Sequence, residues 1–270
     1  MRYTIPALET LRLDRPRDGV AVLSLARPDR FNAMTDRMFG ELETVALALD
    51  QENALRVLIL TGDGRAFCAG YDLADAERLT SLGAMGMLDL QERAARALAA
   101  IRSIRVPVIA AVNGPAAGGG LSLALAADIR LASPAAKFNA AFVKIGLSAG
   151  DLGASWLLTR LIGPAAAAEF AYTGAMMGAA EAERTGLVNR VVPAEELMPA
   201  ALEMAALICA NSPGGVQLSK RALQANMEVT SYAAALELEN RGQALLTRGE
   251  DMTEALDAFR AGRAPQFTGR

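Results

Sequence analysis

The sequence contains no histidine in 270 residues. That absence excludes Ser-His-Asp and Cys-His nucleophilic sites in their common forms, because no imidazole is there to take the proton. It also removes the usual zinc ligand, and the two cysteines, Cys68 and Cys209, cannot replace it. No metal is therefore expected, and proton transfer falls to carboxylates, Lys, Tyr, Cys, Ser or water. Two cysteines are too few for a disulfide framework, which fits a reducing cytosol. A surplus of one charge is missing as well. Against 30 Asp and Glu stand 27 Lys and Arg, so the balance does not favour nucleic acid. Apolar runs such as VLILTG and VPVIAAVNG are far too short to cross a bilayer. The first residues hold no apolar stretch of signal-peptide length. The expectation is a cytoplasmic protein with no nucleic-acid or membrane partner.

What is present is apolar material in strand and helix patterns. Hydrophobic residues make up 52% of the chain, enough for one large domain or a core with an appendage. Val20 to Leu25 reads as a strand followed by a turn at ARPDRFNA. From Asp36 to Asp50 the residues Met38, Leu42, Val45 and Leu49 recur at helical spacing, with Thr35 as N-cap. RVLILTGDG and VPVIAAVNG read as buried strands, with a long helix, Met85 to Ile104, between them. IRLASP, KFNA and LVNRVVP are short strand candidates, and helices are expected near 151–162 and 164–172. After Ala194 the chain is mostly helical, broken at NSPGG. Strands alternating with helices predict an α/β protein.

Two loops, each after a buried strand, carry the candidate chemistry. The first is GRAFCAGYDL, Gly64 to Leu73; the second is NGPAAGGGLSLALAAD, Asn113 to Asp128. Gly118, Gly119 and Gly120 sit where strand gives way to helix. Glycines there allow close backbone approach and leave N–H groups bare at a helix N-terminus, which favours developing negative charge. Three glycines alone also suit a plain tight turn. No Gly-Lys-Ser/Thr follows, and the spacing is not that of a dinucleotide loop.

Taken together, RPDRFNAM, GRAFCAGYDL, IAAVNGPAAGGGLSLALAADIRLAS, KFNAAFVKIGLSAGDLGASWLLTRLIG, TGLVNRVVP, SPGGVQLSKRAL and AFRAGRAPQFTGR resemble the enoyl-CoA hydratase/isomerase (crotonase) family, in order and over nearly the whole chain. The resemblance implies the crotonase fold, a right-handed spiral of ββα units with a helical C-terminal region. It implies a core domain over 1–198 and a helical region over 199–270 that forms trimers, often paired into hexamers. The substrate would be an acyl-CoA thioester, with coenzyme A as part of the substrate and no separate cofactor. The backbone N–H groups of Tyr71 and Gly119 would hold the thioester oxygen as charge builds on it. Coenzyme binding would fall to Arg30, Ala33, Ala69, Asp72 and Leu73. Asp72 equally suits a turn brace, and Arg30 a solvated charge. Phe259 and Arg263 would either reach a neighbouring subunit's coenzyme or remain in packing and solvent.

The sequence departs from the family's hydratases at two places. Their two glutamates fall at Ser122 and Phe142 here, so two-glutamate hydration is not expected. Asp151 is the remaining acid. Across a one-residue gap it matches the catalytic Asp of dienoyl-CoA isomerases and the nucleophile of 4-chlorobenzoyl-CoA dehalogenases, though Asp before an apolar helix is also a common N-cap. A dehalogenase would need a histidine, which is absent, and a tryptophan where Phe142 stands. Three functions follow from the resemblance: an isomerase moving a proton with Asp151, a hydratase or other lyase with a different water-activating group, or a non-catalytic acyl-CoA binder.

Overall fold

The computed structural model describes residues 5–72, 79 and 81–270; the expected coenzyme contact Leu73 lies outside them, as do Asp75 and Glu77, whose charges read from the sequence as a solvated helix face. Six strands form the larger sheet: β1 (Leu11–Arg17), β2 (Val20–Leu25), β3 (Val57–Gly62), β4 (Val108–Val112), β6 (Ile129–Ala132) and β9 (Arg190–Val191), in that spatial order. A smaller sheet holds β5 (Ala116–Ala117), β7 (Lys137–Asn139) and β8 (Met176–Gly178) in the order β5-β7-β8. Among the described residues, only β1–β2 and β7–β8 pair antiparallel. Twice a strand of the large sheet is followed by one of the small sheet and then by helix. The segments are β4, β5 and α3 (Gly119–Ala126), then β6, β7 and α4 (Ala154–Leu161). This is the expected ββα repeat.

Continuous burial explains why β3 and β4 read as unbroken apolar runs. Leu58, Leu60, Ala110 and Val112 face α1 (Asp36–Asp50) and α2 (Gly83–Ser103), meeting Leu42, Val45, Leu98 and Ile101 in one core cluster. Alternate residues Val57, Ile59, Ile109 and Ala111 point the other way onto α7 (Leu197–Cys209), where Leu197, Ala201 and Ala205 complete a second cluster. Thr35 caps α1 as expected, its hydroxyl accepting the Met38 N–H at 3.2 Å. The expected boundary after residue 198 falls inside α7. Beyond it follow α8 (Pro213–Asn226), α9 (Tyr232–Leu246) and α10 (Glu250–Ala261), with few buried residues. Between α4 and α7 lie α5 (Pro164–Thr173) and α6 (Ala179–Thr185).

Strand β1 escaped sequence reading because its edge position leaves most of its residues exposed or half-buried and polar. Strand β8 has three residues, too few for any periodicity.

One buried ion pair ties α8 to the sheet. Lys220 is 7% exposed; its Nζ pairs with Asp128 Oδ2 at 2.8 Å and donates to the Val106 carbonyl at 2.9 Å. Asp128 also accepts from Val108 N–H and Gln224 Nε2, at 2.8 and 3.1 Å. Removing one member of a buried pair costs about 3–5 kcal/mol. Lys220→Ala is expected near the lower end, about 3 kcal/mol, because Asp128 keeps its two other donors. Urea denaturation measures it.

Candidate active site

Three segments are laced together by their backbones at one end of the large sheet. Met34 N–H donates to the Gly70 carbonyl at 2.7 Å, and Asp72 N–H to the Met34 carbonyl at 2.9 Å. Phe67 and Cys68 N–H both donate to the Pro115 carbonyl, and Ala117 N–H donates back to Cys68 at 3.0 Å. The turn at Arg27–Ala33 supports this weave. Asn32, in the left-handed region at φ 56°, uses its amide to bind the Asp63 and Ala66 carbonyls at 2.9 and 2.8 Å.

Glycine is required where the loops cross. A Cβ on Gly120 would stand 2.2 Å from the Cys68 carbonyl oxygen. One on Gly70, itself at φ 94°, would stand 2.7 Å from the Ala117 carbonyl oxygen and 3.4 Å from the Gly119 nitrogen. The first loop therefore passes at contact distance from the start of α3. Gly119 is the first residue of that helix, so its N–H has no acceptor within the helix. The positive end of the helix dipole adds to the preference for a partial negative charge there.

Tyr71, Gly119 and Asp151 line one cavity of about 230 Å³. Its other walls are mostly apolar: Met34, Phe39, Met87, Leu90, Phe142 and Leu152. The Tyr71 ring stacks on Phe39 with centroids 6.2 Å apart. Among the described lining residues, Asp151 is the only one that carries a formal charge. Burial pushes its carboxyl above the ordinary Asp range, against hydrogen bonds from the Gln91 side chain and the Leu152 N–H that pull it back. Gln91 Nε2 donates to Asp151 Oδ1 at 3.2 Å. The N-cap of α4 is Gly153, and no side chain caps that helix, so the carboxylate is not spent on capping. Leu152 and Gly153 take φ 48° and 83°, a turn that swings Asp151 toward the cavity end of α3.

The remaining expected residues take varied places. Phe142 and Ala69 line the cavity, and Phe142 packs beside Gly118. Ser122 is fully buried behind the cavity wall, its hydroxyl 3.2 Å from the Asp151 carbonyl oxygen. Asp72 is buried and braces its turn through Arg27 at 2.9 Å, the alternative read for it from sequence. Ala33 is buried, and its carbonyl accepts from Arg27 Nη1. Arg30 is exposed on the short 3₁₀ turn Pro28–Arg30. Phe259 is exposed, and Arg263 is bound to Glu254 at 2.6 and 2.9 Å. Cys68 is buried and its thiol is pushed up to about 12, which leaves it inert as a nucleophile. Sequence reading missed Gln91. The signal was available, since Met87, Leu90, Gln91 and Ala94 form one helical row whose other members are apolar.

A second cavity, about 830 Å³, lies beside α8 and is lined by Lys220, Asp128 and Arg130; it contains neither Asp151 nor the crossing loops. Arg130 is buried there and donates to the Leu187 and Ala127 carbonyls at 2.7 and 2.6 Å, a bracing role. Among the described residues, no helix is long and apolar enough to cross a membrane.

Known proteins match this arrangement. The family profile described as enoyl-CoA hydratase/isomerase matches residues 15–270. A Mycobacterium tuberculosis protein named "probable enoyl-CoA hydratase" is 41% identical over 269 residues, covering 95% of this chain and 92% of that one. The 1,2-epoxyphenylacetyl-CoA isomerase of Escherichia coli is 38% identical over 254 residues, covering 93% and 96%. The crystal structure of an enoyl-CoA hydratase from Bacillus anthracis superposes with a TM-score of 0.92 at 32% identity, covering 97% of this chain and 100% of that one. With the family's profile matched almost end to end and its fold reproduced, the chain belongs to the enoyl-CoA hydratase/isomerase family.

Proposed function

We propose that this enzyme moves a double bond in an acyl-CoA by one-base proton transfer, with Asp151 as the base and the Tyr71 and Gly119 N–H groups as an oxyanion hole. The observation that carries the reading is that, among the described residues, Asp151 is the single carboxylate lining an otherwise uncharged, largely apolar cavity. In a 3-enoyl-CoA, Asp151 takes a proton from C2. The electrons delocalise through C1 to C4, with negative charge on the thioester oxygen. The same carboxyl then returns the proton to C4, and the double bond comes to rest between C2 and C3. One acid that takes and returns a proton closes this cycle, whereas hydration must also activate and place a water. Aimed N–H donors act on the oxygen only as charge develops, which lowers the barrier rather than tightening binding.

A cavity of about 150 Å³ lined by similar side chains holds a benzene ring. The present 230 Å³ therefore suits a short or single-ring acyl group. The relative named for an epoxyphenylacetyl thioester is consistent with that size. We expect kcat/KM to fall by about tenfold or more from 3-hexenoyl-CoA to a 3-hexadecenoyl-CoA, because the longer chain exceeds the cavity's volume. Steady-state kinetics over the series checks this.

Product analysis tests the reaction itself. 3-Hexenoyl-CoA should give 2-hexenoyl-CoA, and crotonyl-CoA should give little 3-hydroxybutyryl-CoA. Rapid hydration of crotonyl-CoA would instead support the reading favoured by the hydratase-named relatives, a lyase whose water is held at Asp151. Thioester binding without either product would support a non-catalytic binder. The same proposal takes the chain as a homotrimer or a pair of trimers assembled through α8–α10, where Leu223, Tyr232, Leu245 and Phe259 are exposed.

A further inference from the structure

Asp151 is held from two directions by side chains of two different helices. Gln91 Nε2 on α2 reaches its Oδ1 at 3.2 Å. Ser122 Oγ on α3 reaches its main-chain carbonyl, also at 3.2 Å. Among the described residues, the one other carbonyl within reach of the Ser122 hydroxyl is that of Gly118, longer at 3.4 Å. Ser122 thus lies between the residue preceding Gly119 and the residue bearing the acid. The backbone that follows Asp151 is one that L residues avoid, with Leu152 at φ 48°. A non-glycine residue stays in that region only where its surroundings hold it.

We propose that Gln91 and Ser122 are positioning residues that jointly aim the Asp151 carboxylate. The Ser122 hydroxyl fixes the main chain at Asp151. The Gln91 amide fixes the rotation of the carboxylate through Oδ1, so that the group faces C2 and C4 of the acyl chain, taking the proton from one and returning it to the other. This inference rests on Asp151 being the base. No other charged side chain lines the cavity among the described residues, so the direction of this one group governs the chemistry. Small misplacements of a reacting group are expensive, up to about 10²-fold in rate for roughly 1 Å.

The test follows 3-hexenoyl-CoA isomerisation against pH for the wild type, Gln91→Leu, Gln91→Glu, Ser122→Ala and Asp151→Asn. The two single removals are then repeated in the Asp151→Asn background. Each removal is expected to lower kcat about tenfold with KM within about twofold, since the lost contact positions a reacting group and does not bind the thioester. The acid limb of kcat/KM should move to higher pH in Gln91→Leu, because the ionised carboxylate loses a donor, and further in Gln91→Glu, because a second negative charge stands beside it. Ser122→Ala should leave that limb in place, because its hydroxyl does not touch the carboxylate. In the Asp151→Asn background either removal should change the residual rate by less than about twofold. The same losses in both backgrounds would overturn the proposal, as would wild-type kcat with an unmoved acid limb in Gln91→Leu and Gln91→Glu. Should Asp151→Asn itself run at the wild-type rate, the base assignment falls and the positioning roles fall with it. An inactive Asp151→Asn beside unimpaired Gln91→Leu and Ser122→Ala removes the positioning roles alone.

Discussion

Asp151→Asn is expected to lower kcat by about 10²–10⁴-fold, the usual contribution of a positioned general base, while the acyl-CoA still binds. Asparagine keeps the size of the side chain and can still accept from Gln91, so the cavity keeps its shape. Stability should not suffer. The folded state raises the Asp151 pKa, mainly through burial. A group raised in this way contributes stability that is fully present below its unfolded pKa and is lost as pH rises through its folded pKa. Above its folded pKa the ionised carboxylate is therefore a burden on the fold, and asparagine removes it. Equal or higher thermal stability together with lost turnover is the expected signature, read from a melting curve beside the kinetics. The same sign governs activity. The base works only when ionised, so kcat/KM should rise with pH through a limb lying above the ordinary carboxylate range.

Gly119→Pro is expected to cost about 10²–10³-fold or more in kcat/KM, roughly 2.7–4 kcal/mol of transition-state stabilisation. The change is local for a structural reason. Gly119 is the first residue of α3, the helix position that best tolerates proline, because its N–H has no intrahelical partner to lose. Proline deletes the one donor and puts a ring methylene in its place. By contrast, Gly120→Ala would drive a Cβ to within 2.2 Å of the Cys68 carbonyl oxygen and separate the two loops altogether. A Cβ at Gly119 would press on the Met34 sulfur at 3.1 Å, the far end of a flexible side chain, so Gly119→Pro should fold and bind coenzyme A with a smaller loss of Tm than Gly120→Ala, whose Cβ meets fixed backbone. Circular dichroism melts separate the two cases. A Gly119→Pro enzyme with undiminished kcat/KM would remove Gly119 from the oxyanion hole.

Much of the fold was legible because its strongest signals are local. The unbroken apolar runs of β3 and β4 report burial on both faces, and the Met38-Leu42-Val45-Leu49 spacing reports one helix face toward the sheet. What was lost lacked such a signal. Strand β1 is a polar edge, and β8 is a three-residue strand paired to β7 with Met177 its one buried residue. The site divides in the same way. The glycines of the second loop announced a close backbone approach, and the structure brings Gly70 and Gly119 together across it. Ambiguous side chains could be placed only through their tertiary neighbours. Asp72 has the residue type of either a ligand or a brace, and Arg27, forty-five positions away, pairs with it at 2.9 Å. Asp151 looked equally like an N-cap until Gly153 proved to hold that position. Gln91 lies sixty positions from Asp151 on another helix, a pairing that periodicity alone could not reveal.

The measurement closest to the central claim is proton NMR of 3-hexenoyl-CoA turned over in deuterated water, for the wild type and Asp151→Asn in parallel. A single base that removes and returns the proton predicts 2-hexenoyl-CoA without 3-hydroxyhexanoyl-CoA. Deuterium should enter C4 only as far as the carboxyl exchanges with solvent before giving the proton back, and the whole process should be lost in Asp151→Asn. Rapid accumulation of the 3-hydroxy product, or undiminished double-bond movement in Asp151→Asn, would contradict it.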